Sequence, residues 1–163
     1  MFTSTDEEAV DPIVPAGLHL ASFGRRIAGL FIDQVITTVP VFAVFYALGF
    51  APREAITHGR AVWFTVALTA VGVVYETVSI WRWSRTIGKL VTGTRVVSIV
   101  DGRGLDFTRA LQRSLVPATV GAIPRVGPFL GIGVYVWAFF DPLRQGVHDK
   151  AAGSIVVRRH RPE

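Results

Sequence analysis

The sequence predicts an all-α membrane protein: a small helical bundle of three to four membrane helices, its last segment broken by proline and readable as a helical hairpin, with a small cytoplasmic β-hairpin. Three observations carry this. Half of the 163 residues are hydrophobic and only 18% are charged, with a mean hydropathy of +0.44. A soluble domain carries about a quarter charged residues, and a chain this short has little interior in which to hide so much apolar surface. Two long apolar runs, 27–51 and 61–81, are each long enough to span a hydrocarbon core of about 30 Å. Basic residues, which give a net charge of +5, flank the apolar runs, a placement that suits anionic headgroups better than nucleic acid.

Taken in order, residues 1–22 read as a flexible, acidic N-terminal tail (Asp6, Glu7, Glu8, Asp11) with Pro12, Pro15 and Gly17. It lacks the basic start and short apolar stretch of a cleaved signal peptide, so the first run is expected to remain in the membrane. That run is interrupted only by Asp33 and Gln34, and Pro40 is a site for a kink. The second contains Glu76 and has Trp63 and Trp81 near its ends, as interfacial aromatics do. Residues 82–113 hold seven basic residues against Asp101 and Asp106. Within them 94–100 is β-rich, Asp101-Gly102 signals a hairpin turn, and Leu105-Asp106-Phe107 is the expected return strand. Pro117, Pro124 and Pro128 interrupt the next apolar stretch, which predicts two shorter helices, 108–123 and 127–140. The membrane domain is placed at 23–157, followed by a basic tail, 158–163.

Charge sets the expected topology. The 82–113 loop is the most basic and is placed in the cytoplasm together with the N-terminus. The C-terminal tail (Arg144, Lys150, Arg158, Arg159, Arg161) joins it there only if 108–140 crosses twice or forms a re-entrant hairpin, the preferred reading. The 154–157 strand then lies close enough to pair with the 94–107 segment.

Charges within a membrane are costly and are default functional suspects. Arg26 and Asp33 lie two helical turns apart on one face of the first helix. Asp33 is either held by an Arg, Ser or Thr of a neighbouring helix or handles an ion or proton. Glu76 either pairs with Arg82 or Arg26 or joins Arg26 and Asp33 in a charged cluster between the first two helices. Arg125 is either a headgroup contact or a partner for Asp33. Trp81, Arg82, Trp83, Arg85 and Lys89 are expected lipid-headgroup contacts. His148 reads as a tie between the tail and the basic loop. There is no Cys, which excludes disulfides and thiol chemistry. The four His have no metal-ligand spacing. No catalytic residue, cofactor or metal is assigned, and no internal repeat is evident.

Three segments stand out: Arg26-Ile27-Ala28-Gly29-Leu30-Phe31-Ile32-Asp33 in the first apolar run, Thr86-Ile87-Gly88-Lys89 with Gly93 and Val96-Val97 after the second, and Asp141 to Val157 near the end. Together they resemble the RDD family of small bacterial integral membrane proteins: the first is similar to its first-helix signature, the second to its segment after the second helix, and the third to its closing motif, with Ser154 where Thr is usual. Arg26 and Asp33 match the Arg and first Asp of the family name; Asp149 fits the second Asp better, with Asp141 the alternative. The resemblance implies a protein of the bacterial inner membrane, usually with three membrane segments. It also implies either monovalent cation/proton antiport or an accessory role beside a larger envelope transport system. The expected function is therefore an accessory or stabilising subunit of a larger membrane complex. The alternatives are a cation/proton transporter using Asp33 and Glu76 as a homo-oligomer, or lipid handling through Arg125 and Trp81-Arg82-Trp83. The expected partners are membrane lipids and other membrane subunits, not nucleic acid.

Overall fold

A computed structural model gives the fold and describes Val14, Pro15, Ile123 and residues 17–49, 58–121 and 127–158. Two long helices, α1 (Phe23–Ala47) and α2 (His58–Trp83), are followed by a short helix, α3 (Ile87–Val91), and a strand, β1 (Thr94–Ser98). Then come α4 (Phe107–Gly121), α5 (Gly127–Val136), a 3-10 turn (Trp137–Phe139), another short helix, α6 (Val147–Ala151), and β2 (Ser154–Arg158). α1 continues through Pro40. Only Phe23–Ala47 and Ala61–Trp83 are long and apolar enough to cross a membrane among the described residues. α4 has 15 residues and α5 has 10, against the roughly 20 that a spanning helix needs.

The expected β-hairpin does not form. β1 instead pairs antiparallel with β2, centred on Val96 opposite Val156. One local and one tertiary preference override the hairpin. The Asp106 carboxylate accepts the Arg109 backbone N–H at 2.8 Å, which draws Phe107 into the first turn of α4. Ile155, Val156 and Val157, meanwhile, are buried on both faces of β2, so pairing with β1 hides more apolar surface than 105–107 can offer.

The core lies at this sheet. Ala21, Ile80, Val96, Leu105, Ala110, Ala152 and Val156 form one buried cluster. Val14, Val97, Leu143, Ile155 and Val157 form a second. The later part of the segment expected as a flexible tail is therefore held. Ala21 is fully buried and donates its N–H to the Val156 carbonyl at 3.0 Å, and Leu20 bridges to Val157. Away from the sheet, the large side chains of α1 and α2, such as Phe31, Phe42, Trp63 and Val74, face outward.

Candidate functional site: a buried ionic cluster between helices and sheet

Asp33 is an anchor for α3. Its carboxylate accepts the Gly88 N–H at 2.8 Å, the Tyr75 hydroxyl at 2.8 Å and the Thr86 hydroxyl at 2.5 Å, with the Lys89 ammonium 3.7 Å away. Thr86 is also the N-cap of α3, accepting the Lys89 N–H at 3.3 Å. The approach is so close that a Cβ at position 88 would lie 2.0 Å from the Gly29 carbonyl oxygen. The spacing Gly29…Asp33 on α1 and Thr86…Gly88-Lys89 on α3 is therefore one docking interface, in which glycine permits contact and the carboxylate fixes it.

The second centre is Asp149. Its oxygens lie 2.9 Å from Arg113 Nε and 3.4 Å from Arg26 Nη1. They also accept the Gly146 N–H at 3.2 Å and the Ser154 hydroxyl at 3.3 Å. Arg113 continues to Glu76, while Arg26 donates to the carbonyls of Arg144 and Val156. This chain joins α1, α2, α4, α6 and β2. Burial opposes ionisation of Asp149, but the neighbouring His148, with the Arg113 and Arg26 guanidiniums, outweighs it and holds its pKa well below the usual carboxylate range. Burial pushes the His148 imidazole down to about 4, although Asp149 pulls the other way. The Lys89 ammonium is also pushed down by burial, against the pull of Glu76 and Asp33.

The cluster expected between α1 and α2 is thus completed from elsewhere. Arg26 and Asp33 share a helix face but serve different centres, and Glu76 pairs with Arg113 rather than with Arg82 or Arg26. Asp33 is held by Thr86, as one expectation had it, with Tyr75, Gly88 and Lys89 added. Asp141 stands apart: it accepts the Gln145 N–H at 3.0 Å and pairs with Lys150 at 2.5 Å. Arg125 lies outside the described residues. Trp81, Arg82 and Trp83 are exposed at the end of α2, with Trp81 edge-on to Phe107 at 5.5 Å, and Arg85 is half-buried. Lys89, expected at the headgroups, is instead turned inward, its side chain 13% exposed. Its short helix starts at the α1 contact, so the ammonium falls beside Asp33.

Arg113 is the main residue that sequence reasoning missed. A signal existed: Ala110, Arg113, Ser114 and Pro117 share one face of α4 at helical spacing, and the first three are buried. A lone Arg on such a face needs a carboxylate partner.

Three carboxylates (Asp33, Glu76, Asp149) face three cations (Arg26, Lys89, Arg113). Two cavities adjoin them. One, of about 260 Å³, is lined by Asp33, Gln34, Thr37, Glu76, Lys89 and Tyr135. The other, of about 250 Å³, is lined by Arg26, Arg113, His148 and Asp149 beside Phe23 and Phe139. Glu76, Lys89 and Tyr135 line both. Among the described residues no group of His, Asp and Glu side chains is arranged to hold a metal ion.

No curated protein and no solved structure matches this chain. The family model of the RDD family matches residues 20–153, from the residues just before Arg26 to those just after Asp149. With most of its length matched, and with the Arg and both Asp centres inside that span, the chain belongs to the RDD family and is a membrane domain of that family.

Proposed function

We propose that this chain is a non-enzymatic accessory or stabilising subunit of a larger complex in the bacterial inner membrane, its sheet and basic loop facing the cytoplasm. One observation carries the reading. Each buried carboxylate is occupied by fixed donors: four groups of α2 and α3 around Asp33, Arg113 against Glu76, and two guanidiniums with two further donors around Asp149. A transport carboxylate has to exchange partners during its cycle, whereas these lock short elements to long helices. Buried polar contacts between membrane helices commonly serve this purpose. The outward apolar faces of α1 and α2 then meet lipid and the helices of a partner.

The test is purification of the tagged protein in mild detergent with identification of what accompanies it. A stoichiometric membrane partner, retained by wild type and lost when Asp149→Ala frees α6 and the sheet from α1 and α4, is the expected result. A homo-oligomer with no other component overturns the reading. It would favour the second one, a monovalent cation/proton transporter working through Asp33 and Glu76, which the 260 Å³ cavity beside both carboxylates supports.

A further inference from the structure

The two ends of the sheet have matching surroundings. Ser84 (φ 57°) and Arg144 (φ 54°), the non-glycine residues with positive φ among those described, lie 60 positions apart. The same offset relates α3 to α6, the positive-φ glycines Gly93 and Gly153, and the strands β1 and β2. Within the short helices it relates the hydrogen bonds Leu90 N–H to Thr86 O (2.8 Å) and Lys150 N–H to Gly146 O (3.0 Å). It also relates Gly93 N–H to Leu90 O (3.2 Å) and Gly153 N–H to Lys150 O (3.1 Å). The sheet register pairs Val96 with Val156, its own equivalent, so a two-fold axis passes through that pair.

The segments leading into α1 and α4 obey the same axis. Ser98 donates to the Arg103 carbonyl at 2.8 Å, and Arg158 donates to the His19 carbonyl at 2.8 Å. Both helices begin at Phe (Phe23, Phe107), and Arg26 N–H to Ser22 O matches Ala110 N–H to Asp106 O. The guanidinium of Arg25 lies 3.2 Å from where a Cβ would stand on Gly93, and that of Arg109 lies 3.3 Å from the equivalent point on Gly153. Here the offset is 84 positions. It falls to 60 after the hairpin, so α4–α5 is shorter than α1–α2 by the difference.

From this we infer that the chain is two copies of one unit, a helical hairpin followed by a short helix and a strand, and that the second hairpin, α4–α5, enters the bilayer from the same face as α1–α2 and ends inside it. Both hairpins are tied at their open ends to one sheet, so they point the same way. At about 1.5 Å per residue, the 15 residues of α4 reach about three quarters of a 30 Å hydrocarbon core and the 10 of α5 about half, so neither arm spans it. The exposed side chains of α5 and of the turn after it suit acyl chains, with Phe129 76% exposed and Leu130 exposed in α5, and Trp137 and Phe140 exposed just after it. This inference concerns membrane placement and stands apart from the proposed function.

The absence of Cys makes single-cysteine labelling direct. Gly59→Cys marks the far end of the long hairpin, Arg103→Cys marks the sheet side, and Ile123→Cys lies just after α4. Each variant is treated with a membrane-impermeant maleimide in intact cells, in inverted vesicles and after detergent. The expected result is Gly59→Cys and Arg103→Cys labelled from opposite sides, with Ile123→Cys labelled at least tenfold more slowly from either side until detergent is added. Labelling of Ile123→Cys from the Gly59 side means that α4 crosses and overturns the inference. Labelling of Ile123→Cys from the sheet side at the Arg103→Cys rate means that the hairpin lies outside the bilayer, and overturns it equally. Labelling of Gly59→Cys and Arg103→Cys from one side removes the α1–α2 span on which it rests.

Discussion

The short helices α3 and α6 have the same length, the same left-handed glycine exit and the same strand after them, yet they are held differently. The N–H of Gly88 in the first turn of α3 is met by Asp33, which comes from the long helix α1. The N–H of Gly146, the N-cap of α6, is met by Asp149, which belongs to α6 itself. α3 is therefore pinned from outside by one carboxylate among neutral hydroxyls and a single lysine. α6 carries its own carboxylate into a pair of arginines from α1 and α4. One backbone design thus uses a carboxylate in two ways, as an external clamp and as a hub, and the hub binds more of the molecule together.

The widest separation between the two is expected on removing the carboxylates. Asp149→Ala leaves Arg26 and Arg113 without their shared partner in a buried site, a loss of about 3–5 kcal/mol. Asp33→Asn keeps the shape and some of the hydrogen bonds and costs about 1–3 kcal/mol. Thermal unfolding in detergent should rank Asp149→Ala well below Asp33→Asn. The reverse order would mean that the clamp, not the hub, carries the fold.

The next effect is acid sensitivity on the α6 side. His148 has a folded pKa of about 4 and an ordinary value of 6.5. Between these values the unfolded chain takes up a proton that the folded chain refuses. Stability from this group is full above pH 6.5 and declines as the pH falls towards 4, by about 3 kcal/mol over the window. The groups acting on it are Asp149 and Glu76, which favour its charge, and Arg113 and Lys89, which oppose it. His148→Gln should flatten the melting temperature between pH 7 and pH 5.

A steric probe sharpens the α3 side. Gly88→Ala forces a Cβ into the Gly29 backbone and should cost about 1–3 kcal/mol, whereas Gly72→Ala, with open space around it, should change little. The smallest effect is expected at Lys150–Asp141, where the lysine side chain is 47% exposed. Lys150→Ala should cost under about 1 kcal/mol.

Much of this architecture can be read from the sequence because it is written in local patterns. The apolar runs mark α1 and α2, the prolines divide α4 from α5, and the β-branched stretches mark both strands. The hub could not be read the same way. Glu76 and Arg113 are 37 residues apart, and Arg82 and Arg26 were the more obvious partners. The Asp101-Gly102 turn signal was genuine, but the chain after it was claimed by the α4 cap. The repeat is faint in the sequence because the two copies share mainly Phe, Arg, Gly and Val-Val, at two different offsets. What is equivalent between them is backbone conformation and hydrogen bonding, which many side chains permit.

On the proposed function, the buried carboxylates hold the protein together and do not carry ions. Reconstituted wild-type protein in proteoliposomes, challenged with opposing proton and Na⁺ gradients, tests it most directly, with Asp33→Asn measured beside it. The expected result is gradients that decay no faster than in protein-free vesicles, and an Asp33→Asn variant that differs only by a lower melting temperature. A wild type that dissipates the gradient, and an Asp33→Asn variant that stays folded but no longer does so, would contradict it.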